Sequence, residues 1–166
     1  MVKHSDIDHT GITGVGGVQI TYARKTSDQA STSTSFADVT GLTFAVSAST
    51  IYRFRFVLFV LTNTAGEGFA LSVNGPAGTY KLGGFLPATT PSPAGNTVGI
   101  LTGAVADTTG INVSSGPTSS SIAILEGVVS VGGAGGTLAL RFKAETGGAN
   151  SVTIQTNSYG EIAVIT

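Results

Sequence analysis

Hydrophobic and polar residues alternate along most of the chain from residue 18 onward. Alternation with a period of two is typical of a strand that buries one face, and no ten-residue stretch has the period of a helix. The pattern predicts about nine or ten strands, which is the number found in β-sandwiches and barrels. Nine segments carry it clearly, namely residues 18–22, 42–46, 50–62, 67–73, 79–86, 119–131, 137–143, 152–155 and 159–165, and residues 97–105 and 110–114 carry it more weakly.

The segment 50–61 begins with one apolar face and ends with two. One face is apolar throughout, because Tyr52, Phe54 and the alternate residues that follow are all hydrophobic. The opposite face changes from Arg53 and Arg55 to an apolar set formed by Val57, Phe59 and Leu61. A small β-domain has one core, so the second apolar face needs a second covering surface. We expect the arginine end to face water or an acidic partner.

The segment 119–131 is also apolar on both faces, with Ile122, Ile124 and Val128 opposite a second apolar set. By contrast, the segment 137–143 places arginine and lysine on one face, and we therefore expect that face to be exposed to solvent. The two-faced strands predict contact with another copy of this chain. The predicted interface residues are Val57, Phe59, Leu61, Ala123, Leu125 and Val129.

The fold class predicted is all-β, an antiparallel β-sandwich of jelly-roll type, with immunoglobulin-like sandwiches and closed barrels as the alternatives. Residues 18–166 would form this domain. Residues 1–17 have neither a helical nor a strand period and contain four glycines, which predicts a separate N-terminal arm. No stretch reaches the roughly 20 apolar residues that span a bilayer, and no signal-peptide core is present, so we expect the mature chain to start at or next to Met1.

The charge pattern argues against two classes of partner. Only 10% of the residues are charged, the net charge is −1, and lysine and arginine form no cluster. A basic patch is the usual requirement for nucleic acid or an anionic membrane, so we expect neither partner. Cysteine is absent, which excludes disulfides and thiolate chemistry.

Candidate chemistry is sparse. His4 and His9, with Asp6 and Asp8 between them, contain nitrogen and oxygen ligands for a divalent ion, but a glycine-flanked arm does not preorganise a site within one chain. Neither histidine lies in a predicted strand where it could activate a serine. We therefore expect no enzyme activity, no cofactor and no metal. Glu126 lies on an otherwise apolar strand and is predicted to pair with Arg53, Arg55 or Arg141, in a buried salt bridge or an interface contact.

Two parts of the chain resemble a known class. The segment from His4 to Val15 (HSDIDHTGITGV) resembles an N-terminal stretch of tailed-bacteriophage virion proteins. The segment from Phe36 to Phe44 (FADVTGLTF), followed by YRFRF and NGPA, resembles a common phage β-domain. The resemblance covers about half of the chain. It implies a virion surface protein of head decoration or fibre type, with a jelly roll similar to the tumour-necrosis-factor and complement class, that assembles as a homotrimer.

The resemblance and the free arm together favour a capsid decoration (cement) protein on the virion surface, with itself and the major capsid protein as partners. The arm would anchor the trimer to the capsid through His4, Asp6, Ile7, Asp8, His9 and Ile12. The alternative is a tail-fibre or head-fibre tip that binds a receptor or glycan through the loops 87–95 and 110–118. These loops consist mainly of small residues without aromatic platforms, which favours the structural role.

Overall fold

The computed structural model describes residues 18–89, 97–103 and 110–165, and the described residues form twelve strands and no helix. None of these residues therefore belongs to a helix that could cross a membrane. The strands are β1 (Ile20–Arg24), β2 (Gln29–Ser31), β3 (Ala37–Val46), β4 (Ile51–Thr62), β5 (Phe69–Asn74), β6 (Gly78–Leu86), β7 (Thr97–Gly103), β8 (Ile111–Val113), β9 (Ser121–Val131), β10 (Gly136–Ala144), β11 (Val152–Ile154) and β12 (Tyr159–Val164).

The strands form two antiparallel sheets. The large sheet has the order β1-β12-β4-β9-β6-β7, and β11 also pairs with β4 and carries β2. The small sheet has the order β3-β10-β5-β8. β4 is the central strand of the large sheet, since it pairs with β9 along one edge and with both β12 and β11 along the other. The predicted all-β sandwich is confirmed.

One hydrophobic core lies between the two sheets. β4 contributes its regularly alternating inward set, of which Phe56 and Leu58 are fully buried. The small sheet contributes Phe69 and Phe142, which are also fully buried. Burying side chains of this size stabilises the fold by about 1.5–3 kcal/mol each. The ring of Phe56 lies 5.9 Å from that of Phe44, so aromatic packing joins the sheets.

β3 carries a β-bulge in its middle. Asp38 lies opposite Arg141, but the next ladder pair along β3 is Thr43 with Ala139, so extra residues of β3 bulge from the ladder. Gly41 lies in this bulge with a φ of 83°, a conformation that favours glycine. β3 continues as one strand from Ala37 to Val46 across this bulge.

The chain passes back and forth between the two sheets. β3 belongs to the small sheet, β4 to the large sheet and β5 to the small sheet, and the same alternation recurs from β8 to β11. Jelly rolls and immunoglobulin-like sandwiches are both built from two packed sheets, so the jelly-roll assignment stays a prediction.

Candidate interaction surface

The outward side of β9 differs from the prediction. Ala123, Leu125 and Val129 have no exposed area and belong to the core between the sheets. The register explains this, because Ala123 lies opposite the buried Leu58 and shares its face. These three residues therefore have no surface to offer a second copy.

The outward residues of β9 are the other apolar set. Ile122 is 49% exposed, Val128 is 36% exposed and Ile124 is partly exposed. Glu126 lies between them on the same face. This glutamate is the sequence signal that could have identified the outward set, since a charged residue rarely points into a core.

The outward side of β4 agrees with the predicted alternation. Arg53 and Arg55 are exposed, and Val57, Phe59 and Leu61 follow them on the same face. Val57 is only 9% exposed, whereas Phe59 and Leu61 are partly exposed. Their contact with a second copy stays a prediction.

These residues belong to an apolar patch that crosses four strands. One row runs from Tyr159 through Val57 and Ile124 to Phe85, each lying opposite the next in the ladder. Phe59 and Ile122 form the adjoining row, and we call these six residues the outer patch. Tyr159 is 36% exposed and Phe85 is 37% exposed. Large contiguous apolar surfaces are typical of interaction sites, whereas single exposed apolar residues are not.

A charged row borders the outer patch. Arg55 lies between Glu161 of β12 and Glu126 of β9 in the ladder. Its Nε atom lies 3.4 Å from Oε2 of Glu126, and both side chains are about half exposed. Glu126 therefore pairs with one of the predicted arginines, but the pair is exposed and not buried within the chain. Such a pair contributes about 0–1 kcal/mol to stability.

The small sheet has a different outward surface. Arg141 pairs with Asp38 at 2.8 Å, and Lys143 pairs with Glu145 at 3.6 Å. The ammonium of Lys143 also lies 5.4 Å from the ring centre of Phe36. The large exposed hydrophobic residues of the described chain all lie on the strands of the large sheet or next to them: Val18, Ile20, Tyr22, Phe85, Ile122, Val128, Tyr159, Val164 and Ile165. The small sheet therefore has the more polar surface.

Glu67 holds the loops at one end of the sandwich together through hydrogen bonds. Its buried carboxylate accepts hydrogen bonds from the backbone N–H groups of Glu145, Thr146 and Gly147 and from the Thr146 hydroxyl. Burial alone raises the pKa of Glu67, but these hydrogen bonds together outweigh it, and the pKa lies below its usual value. Sequence inspection missed this role because the donors are 78 to 80 residues away.

Neighbouring loops are tied to the same end. The Gly116 N–H donates to the Glu67 carbonyl at 2.6 Å, and the Thr89 N–H donates to the Ser115 carbonyl at 3.3 Å. The Asn63 side chain bonds the loop before β11 on both its amide nitrogen and its oxygen. The described parts of the predicted recognition loops, 87–89 and 110–118, are therefore held in place.

The predicted arm lies outside the described residues. This applies to His4, Asp6, Ile7, Asp8, His9 and Ile12, and also to residues 90–95 of the first predicted loop. Within residues 18–89, 97–103 and 110–165, no three histidine or carboxylate side chains come together as metal ligands would.

No protein-family model matches the chain, and no curated protein matches it. Among solved structures, the chain is similar to a chain of the infectious bursal disease virus Gx strain, with 15% identity, a TM-score of 0.23 and 91% of this chain covered. It is also similar to the VP2 subviral particle of infectious bursal disease virus, with 11% identity, a TM-score of 0.23 and 90% of this chain covered. The matches span 37% and 41% of those chains, and scores this low support no functional argument.

Proposed function

We propose that this chain is a structural protein of a virion, a capsid decoration protein that binds the head surface as a homotrimer and stabilises it. The observation that carries the proposal is the outer patch, since the exposed Tyr159, Ile122 and Phe85 lie on one contiguous apolar surface of four adjacent strands, and such a surface favours a covering partner. The resemblance of the arm and of the segment from Phe36 to Ala77 to phage virion proteins supports the virion setting.

A second copy is a suitable partner for this surface. The row beside the outer patch carries Arg55 between Glu126 and Glu161, so each copy presents both signs of charge to its neighbour. Opposite charges steer two surfaces into one register, and the apolar patch supplies the attraction. A trimer clamping neighbouring capsid subunits would stabilise the shell, because a ligand that binds only the assembled form shifts the equilibrium toward it.

Sedimentation of the full chain at micromolar concentration tests the trimer. We expect the mass of three chains for the native protein and the mass of one chain for Phe59→Asp, with the same far-ultraviolet circular dichroism spectrum. A native protein that sediments only as a monomer would contradict self-association in solution.

Labelling of virus particles tests the location. We expect an antibody against the folded domain to decorate the head of particles that carry this protein. Deletion of residues 1–17 should abolish binding to undecorated capsids, since the predicted anchor is removed. Retained occupancy would contradict the anchoring role.

The fibre tip is the second candidate function, and the loop end favours it. Glu67 and its partners hold four loops in one arrangement, and loops on a rigid scaffold are common recognition sites. Antibody found only at the end of a tail or fibre would support this candidate and exclude head decoration.

A further inference from the structure

The outward face of the small sheet contains a pocket of about 210 Å³. Ala70 of β5 lies between Lys143 of β10 and Asn112 of β8 in the ladder. The residues that flank each of these three along its strand belong to the core, so the three themselves face outward. The short alanine therefore leaves space between two longer side chains. Glu145, directly after β10, and Gly110, directly before β8, complete the lining.

The main chain around this pocket is held in place. The N–H of Glu145 donates to the buried Glu67 carboxylate at 2.7 Å. Gly110 packs against the ring of Phe36 so closely that a Cβ atom at this position would clash with the ring. The Lys143 ammonium lies 5.4 Å from the centre of the same ring. The polar side chains therefore start from fixed positions, which lowers the cost of ordering them around a ligand.

Two charged side chains of the pocket lack hydrogen bonds. Nζ of Lys143 lies 3.6 Å from Oε1 of Glu145, which is an ion pair but is too long for a hydrogen bond. Oε1 of Glu145 is buried and has no hydrogen-bond partner, and among the described residues no acceptor bonds the Lys143 ammonium. The two side chains are only 24% and 23% exposed. Charged groups that lose water without gaining hydrogen bonds cost free energy, so this pair favours a ligand that satisfies both.

We propose that this pocket binds one neutral sugar unit through its hydroxyl groups. A hydroxyl group both accepts and donates, so a single one can accept from the Lys143 ammonium and donate to the Glu145 carboxylate. The Asn112 carboxamide has the same two capacities for a neighbouring hydroxyl. The charges of Lys143 and Glu145 cancel, which favours a neutral ligand over an ion. The volume is below the roughly 300–1,000 Å³ of sites for drug-sized ligands, which limits the occupant to a small molecule such as one sugar ring.

Titration of the full chain with single sugars, followed by nuclear magnetic resonance, tests this site. The probes are glucose, galactose, mannose and N-acetylglucosamine. We expect at least one of them to shift the backbone amide signals of Asn112 and Glu145, with a Kd of about 1–10 mM. Lys143→Ala and Asn112→Ala should each weaken this binding about tenfold, because each removes a hydrogen-bonding group. The matched control is Lys81→Ala, which removes an exposed lysine of the large sheet and should leave the Kd unchanged.

Three results would overturn the proposal. If none of the four sugars shifts these signals at about 50 mM, well above the expected Kd, water alone fills the pocket. If Lys143→Ala and Asn112→Ala both bind as the native chain does, the sugar lies elsewhere. If glycine, a zwitterion, shifts the same signals at lower concentration than every sugar, the pocket prefers an ion-pairing ligand. The site lies on the sheet opposite the outer patch, and it depends on neither the trimer nor the capsid role.

Discussion

The outward face of the large sheet exposes apolar side chains, whereas the outward face of the small sheet carries ion pairs. On the large sheet, Ile122, Phe85 and Tyr159 remain exposed beside a row of charges. On the small sheet, Arg141 and Lys143 lie over the strands and pair with carboxylates. Both sheets bury an apolar inner face, so the core does not explain the difference. The contrast teaches that the two sheets offer different outward surfaces, one with exposed apolar side chains and one with ion pairs.

The largest expected effect is on the fold that the two faces share. Glu67→Ala removes a buried carboxylate and leaves three backbone donors and a hydroxyl without their acceptor, and should lower the free energy of unfolding by ~3 kcal/mol or more. Urea denaturation measures this change. Glu67→Gln is the matched control of similar size and should lose less. A loss below ~1 kcal/mol would show that the carboxylate does not hold the loops.

The next prediction compares substitutions on the outward faces of the two sheets. Ile122→Asp on the large sheet should weaken self-association about 100-fold or more, because a carboxylate enters an apolar contact. Thr137→Asp places the same charge on an exposed position of the small sheet and should leave association unchanged. Sedimentation across a concentration series measures both. Equal effects of the two substitutions on self-association would contradict the expected difference between the two sheets.

A smaller effect compares the ion pairs. The Arg141 side chain is 15% exposed and that of Arg55 is 45% exposed, so solvent screens the large-sheet pair more strongly. Asp38→Asn should therefore cost ~1 kcal/mol of stability, and Glu126→Gln less than ~0.5 kcal/mol. Chemical denaturation at low and moderate salt measures the difference. A greater loss for Glu126→Gln in the monomer would reverse the expected order.

The smallest expected effect is on the stability of the fold at low pH. The pKa of Glu67 is lower in the folded chain than in the unfolded chain, because its hydrogen bonds outweigh burial. Its contribution is therefore complete above the unfolded value of about 4.3 and is lost as the pH falls through the folded pKa. The native chain should lose this stability in acid, whereas Glu67→Gln should lack that component. Identical pH profiles would contradict the assignment.

The sequence predicted the positions of the long strands better than it predicted which face of each strand points into the core. The segment 50–61 agrees with β4 because its inward set is apolar without exception. For β9, both alternate sets are apolar, and a shift of one residue exchanges the faces. The choice between Ala123 and Ile122 therefore depended on Glu126, a single polar residue.

Other features had weaker signals. β2 lies in a serine- and threonine-rich stretch that reads as a link, and β3 begins at Ala37, five residues before the alternation that starts at Leu42. The bulge at Gly41 interrupts that alternation. Glu67 gave no local sign of its role, because its partners meet it only through the packing of the sheets. Features built from distant segments depend on the tertiary structure.

The position of β4 has a consequence for how the chain folds. Its neighbours β9 and β12 follow it by about 70 and 100 residues, and β1 joins the sheet only through β12. Ladders between such distant segments slow folding, because the loops must close before the contacts form. On the ribosome, β4 emerges long before either neighbour. The end of β4 that is apolar on both faces therefore stays unpaired until those strands have been synthesised. Folding of the large sheet is therefore a late event, completed only after residues 159–164 have been synthesised.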